Sequence, residues 1–315
     1  MRKLSLYVIF TIFLLSFFSC ATNINVRVNR PAKIDLSYAK TIAVIPFSED
    51  PDFWDYIVFG TDTYELGKYF TNKLQTKLLE NQYFKVVDHS QVQNSLNYGK
   101  VPPCDIYISG KIYNLYTKVK ERETVEKDDK TDTETINVDY CRVLNFSLTY
   151  NIIDSKTGEI LKKFDDSFSI ESDYELSKSQ VLTATQLAKT DLDNVIYTLI
   201  TEITPHTVNK NITLLKDKSK NPQMKYADDL VKDGNLTFAY KEYMEIFEKT
   251  NMFEAGYNAA CILEAQGKYE EAETLLLDLY NLSGNSKALE LLKDVRYEIL
   301  QRNKLIQQDK TRGLK

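Results

Sequence analysis

Histidine is nearly missing from this chain of 315 residues, which holds only His89 and His206. Neither stands in a nucleophile-base pattern or beside a second candidate ligand, so triad and histidine-metal chemistry find no local support. Cysteine is scarce as well: the four are Cys20, Cys104, Cys141 and Cys261. None forms a C-x-x-C pair, which excludes the usual zinc and dithiol redox motifs. No glycine-rich phosphate loop, H-E-x-x-H or G-x-S-x-G occurs. Basic residues are not in excess either, 40 against 45 acidic ones, and the net charge of -5 has the wrong sign for a polyanion-binding surface. The expectation is a protein that is not an enzyme, with no cofactor, no metal and no nucleic-acid partner. No apolar run reaches the ~20 residues that a bilayer-spanning helix needs.

What is present is enough apolar surface for packed cores, 43% of residues, on a length that favours two domains. Met1, Arg2 and Lys3 precede an apolar stretch over residues 4–18. That is the charged and apolar order of a secretory signal, assigned to residues 1–19. Phe17, Phe18, Ser19 and Cys20 then resemble a bacterial lipobox, with Phe17 standing where leucine is usual. The resemblance implies a lipidated Cys20 whose several acyl chains hold the protein to a membrane; the alternative is a buried or discarded cysteine. For Cys104 and Cys141 a disulfide and packed thiols both stay open, the thiols being the simpler reading.

Residues 20–36 lack a helical apolar pattern and read as a lipidated tether. "TIAVIPF" (residues 41–47) reads as a strand buried on both faces. A helix over residues 64–80 is predicted by Leu66, Phe70, Leu74 and Leu78. "YFKVVDH" (83–89) and "CDIYISGKIYNL" (104–115) read as strands, with Gly110 as a bulge or kink. Residues 118–135 are dense in charges of both signs, which marks a hairpin tip or a loop. From Ile136 to Ile152 apolar residues alternate with polar ones, and "DSKTGE" turns the chain into a further strand. Val181, Ala184, Ala188, Leu192, Val195, Leu199 and Ile203 set a closing helix, ended by Pro205. Strand, helix and strands in this order give an α/β domain with a mixed sheet over residues 37–206.

A Lys- and Asn-rich linker over 207–221 leads to a different composition. Tyr226, Ala227, Leu230, Gly234, Leu236 and Ala239 recur 33 residues later as Ala259, Ala260, Leu263, Gly267, Tyr269 and Ala272, the period of a helical-hairpin repeat. "NAACILEAQGKYEEAETLL" resembles a tetratricopeptide repeat (TPR), so residues 222–305 are assigned two TPR repeats plus a capping helix, and 306–315 a polar tail. The α/β domain resembles the TolB amino-terminal-like fold of CsgG-like curli-secretion lipoproteins and of lipoprotein activators of cell-wall synthases. "TIAVIPF", "LQTKLLENQYFKVVDHSQV" and "CDIYISGKIYNL" carry that resemblance.

The TPR resemblance implies a groove presenting Asp228, Val231 and Lys232 from one copy and Tyr257, Cys261 and Glu264 from the next. Groove binding of a partner and packing of the repeats on the α/β domain, or on another copy of the chain, stay equally open. The loop with Asp50, Asp52, Trp54 and Asp55 offers a surface contact or, more simply, a solvated turn. The reading is a non-enzymatic lipoprotein of the bacterial envelope, on the periplasmic side of the outer membrane, that holds a complex together and can self-associate. The alternative is an oligomeric secretion channel of the curli type, and a remote one an enzyme without a recognisable motif.

Overall fold

The computed structural model describes residues 22–51, 65–128 and 133–313. Cys20, Asp52, Trp54 and Asp55 fall outside them. The elements are β1 (Asn23–Arg30), β2 (Thr41–Val44), β3 (Ser48–Pro51), α1 (Leu66–Asn81), β4 (Lys85–Val86), α2 (His89–Asn97), β5 (Ile106–Asp128), β6 (Thr133–Asp154) and β7 (Ile160–Glu171). Then follow α3 (Ala184–Ile203), β8 (His206–Thr213), α4 (Pro222–Lys232), α5 (Leu236–Thr250), α6 (Phe253–Ala265), α7 (Tyr269–Ser283) and α8 (Ser286–Arg312). Two compact units emerge. Described residues through Pro31 join His206–Gln307 in one, and Ala32–Pro205 joins the last residues from Gln308 in the other.

The α/β unit is a mixed sheet of order β4-β2-β5-β6-β7, with β3 beside β5. Strand β2 runs parallel to β4 and β5, whereas β5, β6 and β7 are antiparallel. Ile42 and Val44 enter the main core, and Ala43 faces a smaller cluster with Val92 of α2 and Cys104. This two-sided burial is what a β-branched run without polar alternation implies. Asp105 locks the starts of β2 and β5: its carboxylate accepts from the Lys40 and Thr41 amides and the Thr41 hydroxyl at 2.8–2.9 Å. In the main core the inward residues of β6, Leu144 to Ile152, join Phe70, Leu74 and Leu78 of α1 and Ala188, Leu192 and Leu199 of α3. A capping box of Thr183 and Gln186 starts α3.

Several expectations are corrected in this unit. The strand expected over 83–89 shrinks to Lys85–Val86, because Asp88 accepts from the Ser90 amide at 2.7 Å and starts α2. Gly110 is no bulge: it pairs in register with Tyr150. A Cβ there would lie 2.2 Å from the Thr149 carbonyl oxygen and 2.5 Å from the Phe47 ring, so close approach is what requires glycine. The irregularity lies between Tyr113 and Tyr116, where Asn114 has φ 50°. The charged stretch 118–135 is largely strand, pairing out to Asp128 and Thr133. Its charges meet across the sheet, Arg122 with Asp139 at 3.0 Å and Lys120 with Glu171 at 3.3 Å. Finally, the polar tail is helical to Arg312. Gln308 exchanges two 3.0 Å hydrogen bonds with the backbone of Ala32, and Arg312 donates to the Ala39 carbonyl at 2.6 Å and lies over the Tyr83 ring.

The other unit pairs α4 with α5 and α6 with α7 as helical hairpins, followed by α8. Both hairpins turn the same way, as a 33-residue period requires. The amides of Gly234 and Asn235 bond to Val231 and Leu230, and those of Gly267 and Lys268 to Glu264 and Leu263. The two glycines have φ of 76° and 74°, the left-handed ending that closes a helix. Ala227, Ala239, Ala260 and Ala272 are fully buried, which lets the paired helices approach.

Strands replace both segments expected to be irregular. Residues 23–30, within the supposed tether, and 206–213, from the last residue of the supposed α/β domain into the supposed linker, form an antiparallel ribbon paired from Asn23 with Thr213 to Arg30 with His206. The reason is legible in "NINVRVNR" and "HTVNKNIT", where every second residue is apolar or long enough to reach inward. Ile24 and Ile212 are buried in the repeat core.

Candidate functional site

The face of α6 on which a groove was expected is covered by the chain itself. Leu215, just after β8, is held by Asn258 of α6: its amide donates to Asn258 Oδ1 at 2.7 Å, and Asn258 Nδ2 donates to its carbonyl at 2.9 Å. A side-chain amide that satisfies both polar groups of one extended residue reads backbone rather than side chain. Ile212 and Leu214 supply the apolar contacts.

Beside this clamp lies a chain of four charges beneath the ribbon. Arg30 makes two hydrogen bonds to Glu298, at 2.5 and 2.7 Å. Lys210 Nζ sits between Glu298, at 2.7 Å, and Glu264, at 2.6 Å. Both glutamate side chains are 2% exposed, so neither shares its charge with bulk water. Burial would raise Glu298, but hydrogen bonds from Arg30 and Lys210 hold it below the ordinary carboxylate value. For Glu264 burial outweighs its single partner Lys210 and pushes its carboxyl up. Its second oxygen, Oε2, is buried without a hydrogen-bond partner. Lys210 is raised: burial acts against its charge, and the two carboxylates outweigh that penalty.

The predicted groove residues therefore divide. Cys261 is fully buried, its thiol directed at the Thr213 carbonyl 4.0 Å away, and Glu264 is spent on Lys210. Tyr257 is half-buried and Val231 buried. The expectation that Cys261 and Glu264 face a partner is corrected, because Thr213 and Lys210 of β8 lie against them. Asp228 accepts from the buried Tyr243 hydroxyl, whereas Lys232 is exposed and pairs with Asp229 at 2.7 Å. These two lie on a separate cleft of about 630 Å³, with Thr22, Lys216, Lys220 and Lys225. Arg30, Lys210, Asn258 and Glu298 were not singled out from the sequence; the alternation of residues 206–213 was the signal that could have found Lys210.

In the α/β unit, Asp50 is exposed in β3. Its neighbour Glu49 accepts from the Gly67 amide at 2.6 Å at the start of α1, a helix whose own N-cap residue makes no side-chain cap. Cys104, Cys141 and Cys261 are free, buried thiols, so Cys104 and Cys141 are not joined. Among the described residues, no group of three or more His, Cys, Asp or Glu is placed to hold a metal ion. No described helix is long and apolar enough to cross a membrane.

No family model matches the chain, and no curated protein does. Solved structures similar to it include the PelC dodecamer of Paraburkholderia phytofirmans, at 11% identity and TM-score 0.30, covering 58% of this chain and 98% of that one. A putative neuraminyllactose-binding hemagglutinin homolog of Helicobacter pylori matches at 13% identity and TM-score 0.30, over 65% of this chain and 93% of its own. Lipoprotein GNA1162 of Neisseria meningitidis matches at 11% identity and TM-score 0.25, over 51% and 95%. Bacterial lipoproteins are thus among the structures this chain is similar to, at TM-scores too low to transfer a function.

Proposed function

We propose that this protein is a non-enzymatic lipoprotein of the bacterial envelope, anchored through Cys20, that acts as a scaffold. The supporting observation is β1. It begins at Asn23, three residues past Cys20, and pairs along its whole length with β8. At no more than ~3.5 Å per residue, the anchor would lie within about 10 Å of the ribbon, and Arg30 ties that ribbon to Glu298 of α8. A lipid on Cys20 would therefore hold the TPR-like repeat unit at the membrane. The TolB-like α/β unit is the second body of the scaffold, and the periplasmic face of the outer membrane is the proposed site.

Because the groove is filled, partners of the scaffold meet the outer surfaces of the repeats, where Phe238 and Tyr226 are 56% exposed. A curli-type channel is the weaker reading, since Lys120 and Arg122 of the long hairpin sit in ion pairs that a lipid-facing strand would have to desolvate. Feeding cells a tagged fatty acid is expected to label the wild-type chain and not Cys20→Ala; label persisting in the variant overturns the anchor. A photo-crosslinking residue at Phe238 is expected to capture envelope protein in cells, and one at Cys261 to capture none. Adducts at Cys261 alone would show that the groove opens to partners.

A further inference from the structure

The cleft lined by Thr22, four lysines, Asp217 and Asp228 is not used by the scaffold reading. Between residues 216 and 232 the chain carries five lysines against three aspartates, a local excess of positive charge in a molecule of net charge -5. The aspartates are engaged within the protein. Asp217 accepts from the Ser219 and Asn221 amides, Asp228 from Tyr243, and Asp229 is shared by Lys225 and Lys232. Lys225 and Lys232 pair with Asp229 and still have side chains 81% and 58% exposed, and Lys220 is exposed on a backbone turn with φ 59°. At about 630 Å³ the cleft is wide enough for a phosphate-bearing headgroup, and Thr22 on its wall fixes its place in the chain.

That place decides the ligand. Thr22 lies two residues past Cys20, at most about 7 Å of extended chain, which is within the ~8 Å Debye length at physiological ionic strength. Resting on the lipid-anchor reading, we infer that this cleft binds the phosphate headgroups of anionic phospholipids in the membrane that holds Cys20. Lysine suits this role, because a compact ammonium on a long stem reaches a phosphate without a fixed approach angle. The repeat unit would then touch the membrane at two points, the acyl chains and the lysine cleft, and its orientation would depend on lipid charge.

The test reconstitutes the full acylated chain in nanodiscs of phosphatidylcholine, with or without phosphatidylglycerol. Lysine accessibility is read by amine-reactive labelling and mass spectrometry. A lysine near an anionic surface gains roughly a five-fold preference for it, so labelling of Lys216, Lys220 and Lys225 is expected to slow about five-fold in anionic discs only. The exposed Lys287 and Lys293 of α8 serve as controls in the same unit, and molar salt should erase the effect. Equal labelling in both discs overturns the proposal, as does equal slowing at Lys287 and Lys293. Slowing in neutral discs by dissolved glycerol phosphate overturns the membrane source in favour of a free anion. The intact mass of the same sample reports acylation of Cys20. If no acyl mass is found, the anchor fails separately, and the same labelling with vesicles added to the chain still decides the cleft.

Discussion

Both units hold one extended residue with a single side-chain amide, Asn258 on Leu215 in the repeat unit and Gln308 on Ala32 in the α/β unit. The surroundings differ. Apart from Gln308 the buried polar residues described in the α/β unit are serines and threonines, whereas the buried carboxylates among the described residues, Glu264 and Glu298, are both in the repeat unit. In the sheet a slip of one residue would turn the buried face of β6, Leu144 to Ile152, away from its core. In the ribbon a slip of β8 by one residue would turn Lys210 outward, leaving Glu264 unpaired and Glu298 with Arg30 alone. The comparison teaches that the ribbon is held in register by charge and the sheet by packing.

The largest effects should come from breaking each mode at its centre. Phe70→Ala removes a fully buried ring from the α/β core and should cost about 3–5 kcal/mol in urea unfolding. Glu298→Ala, which strands Arg30 and leaves Lys210 with Glu264 alone, should cost a similar ~3–5 kcal/mol, with the loss seen as faster amide exchange along β1 and β8. Equal exchange in the two variants would erase the distinction. Next come the amides: Asn258→Ala and Gln308→Ala should each cost about 1–3 kcal/mol through unsatisfied backbone groups, read as separate losses of protection at Leu215 and Ala32.

Acid sharpens the comparison further. Glu298 is held below its ordinary value of 4.5, so its contribution is complete above that pH and is lost as pH falls through the lower folded value. Glu264 is raised above 4.5, so its contribution is present below that value and is lost as pH rises through the folded one. Glu298→Gln should therefore flatten the pH dependence of urea midpoints below 4.5, and Glu264→Gln the dependence above it. No net cost is expected when all four charges go together. Arg30→Met, Lys210→Met, Glu264→Leu and Glu298→Met in one chain should be neutral or stabilising by ~1–4 kcal/mol. A cost equal to that of Glu298→Ala would show that the network adds net stability.

Much of the α/β unit was legible in its sequence. Strand β6 announced its inward face by alternation from Leu144 to Ile152, and α1 and α3 showed theirs at three and four, because each buries one continuous apolar face. The repeat was legible at Gly234 and Gly267, where a left-handed turn recurs with the period. The ribbon was missed although "NINVRVNR" alternates, since asparagine and arginine at its outer and end positions look like tether. Asn258 gave no signal inside an alanine-rich helix: its two hydrogen bonds reach a residue 43 positions away.

By itself the sequence determined which local elements form, since periodicity and capping act over a few residues: the helical hairpins, the buried strand β2, the capped start of α3. Only the tertiary structure decided what occupies the groove. Pairing Asn23 with Thr213 joins segments 190 residues apart, and whether Lys210 meets Glu264 and Glu298 depends on three elements converging. Such coincidences leave no period in the chain, because their energy lies in partners that become neighbours only after folding.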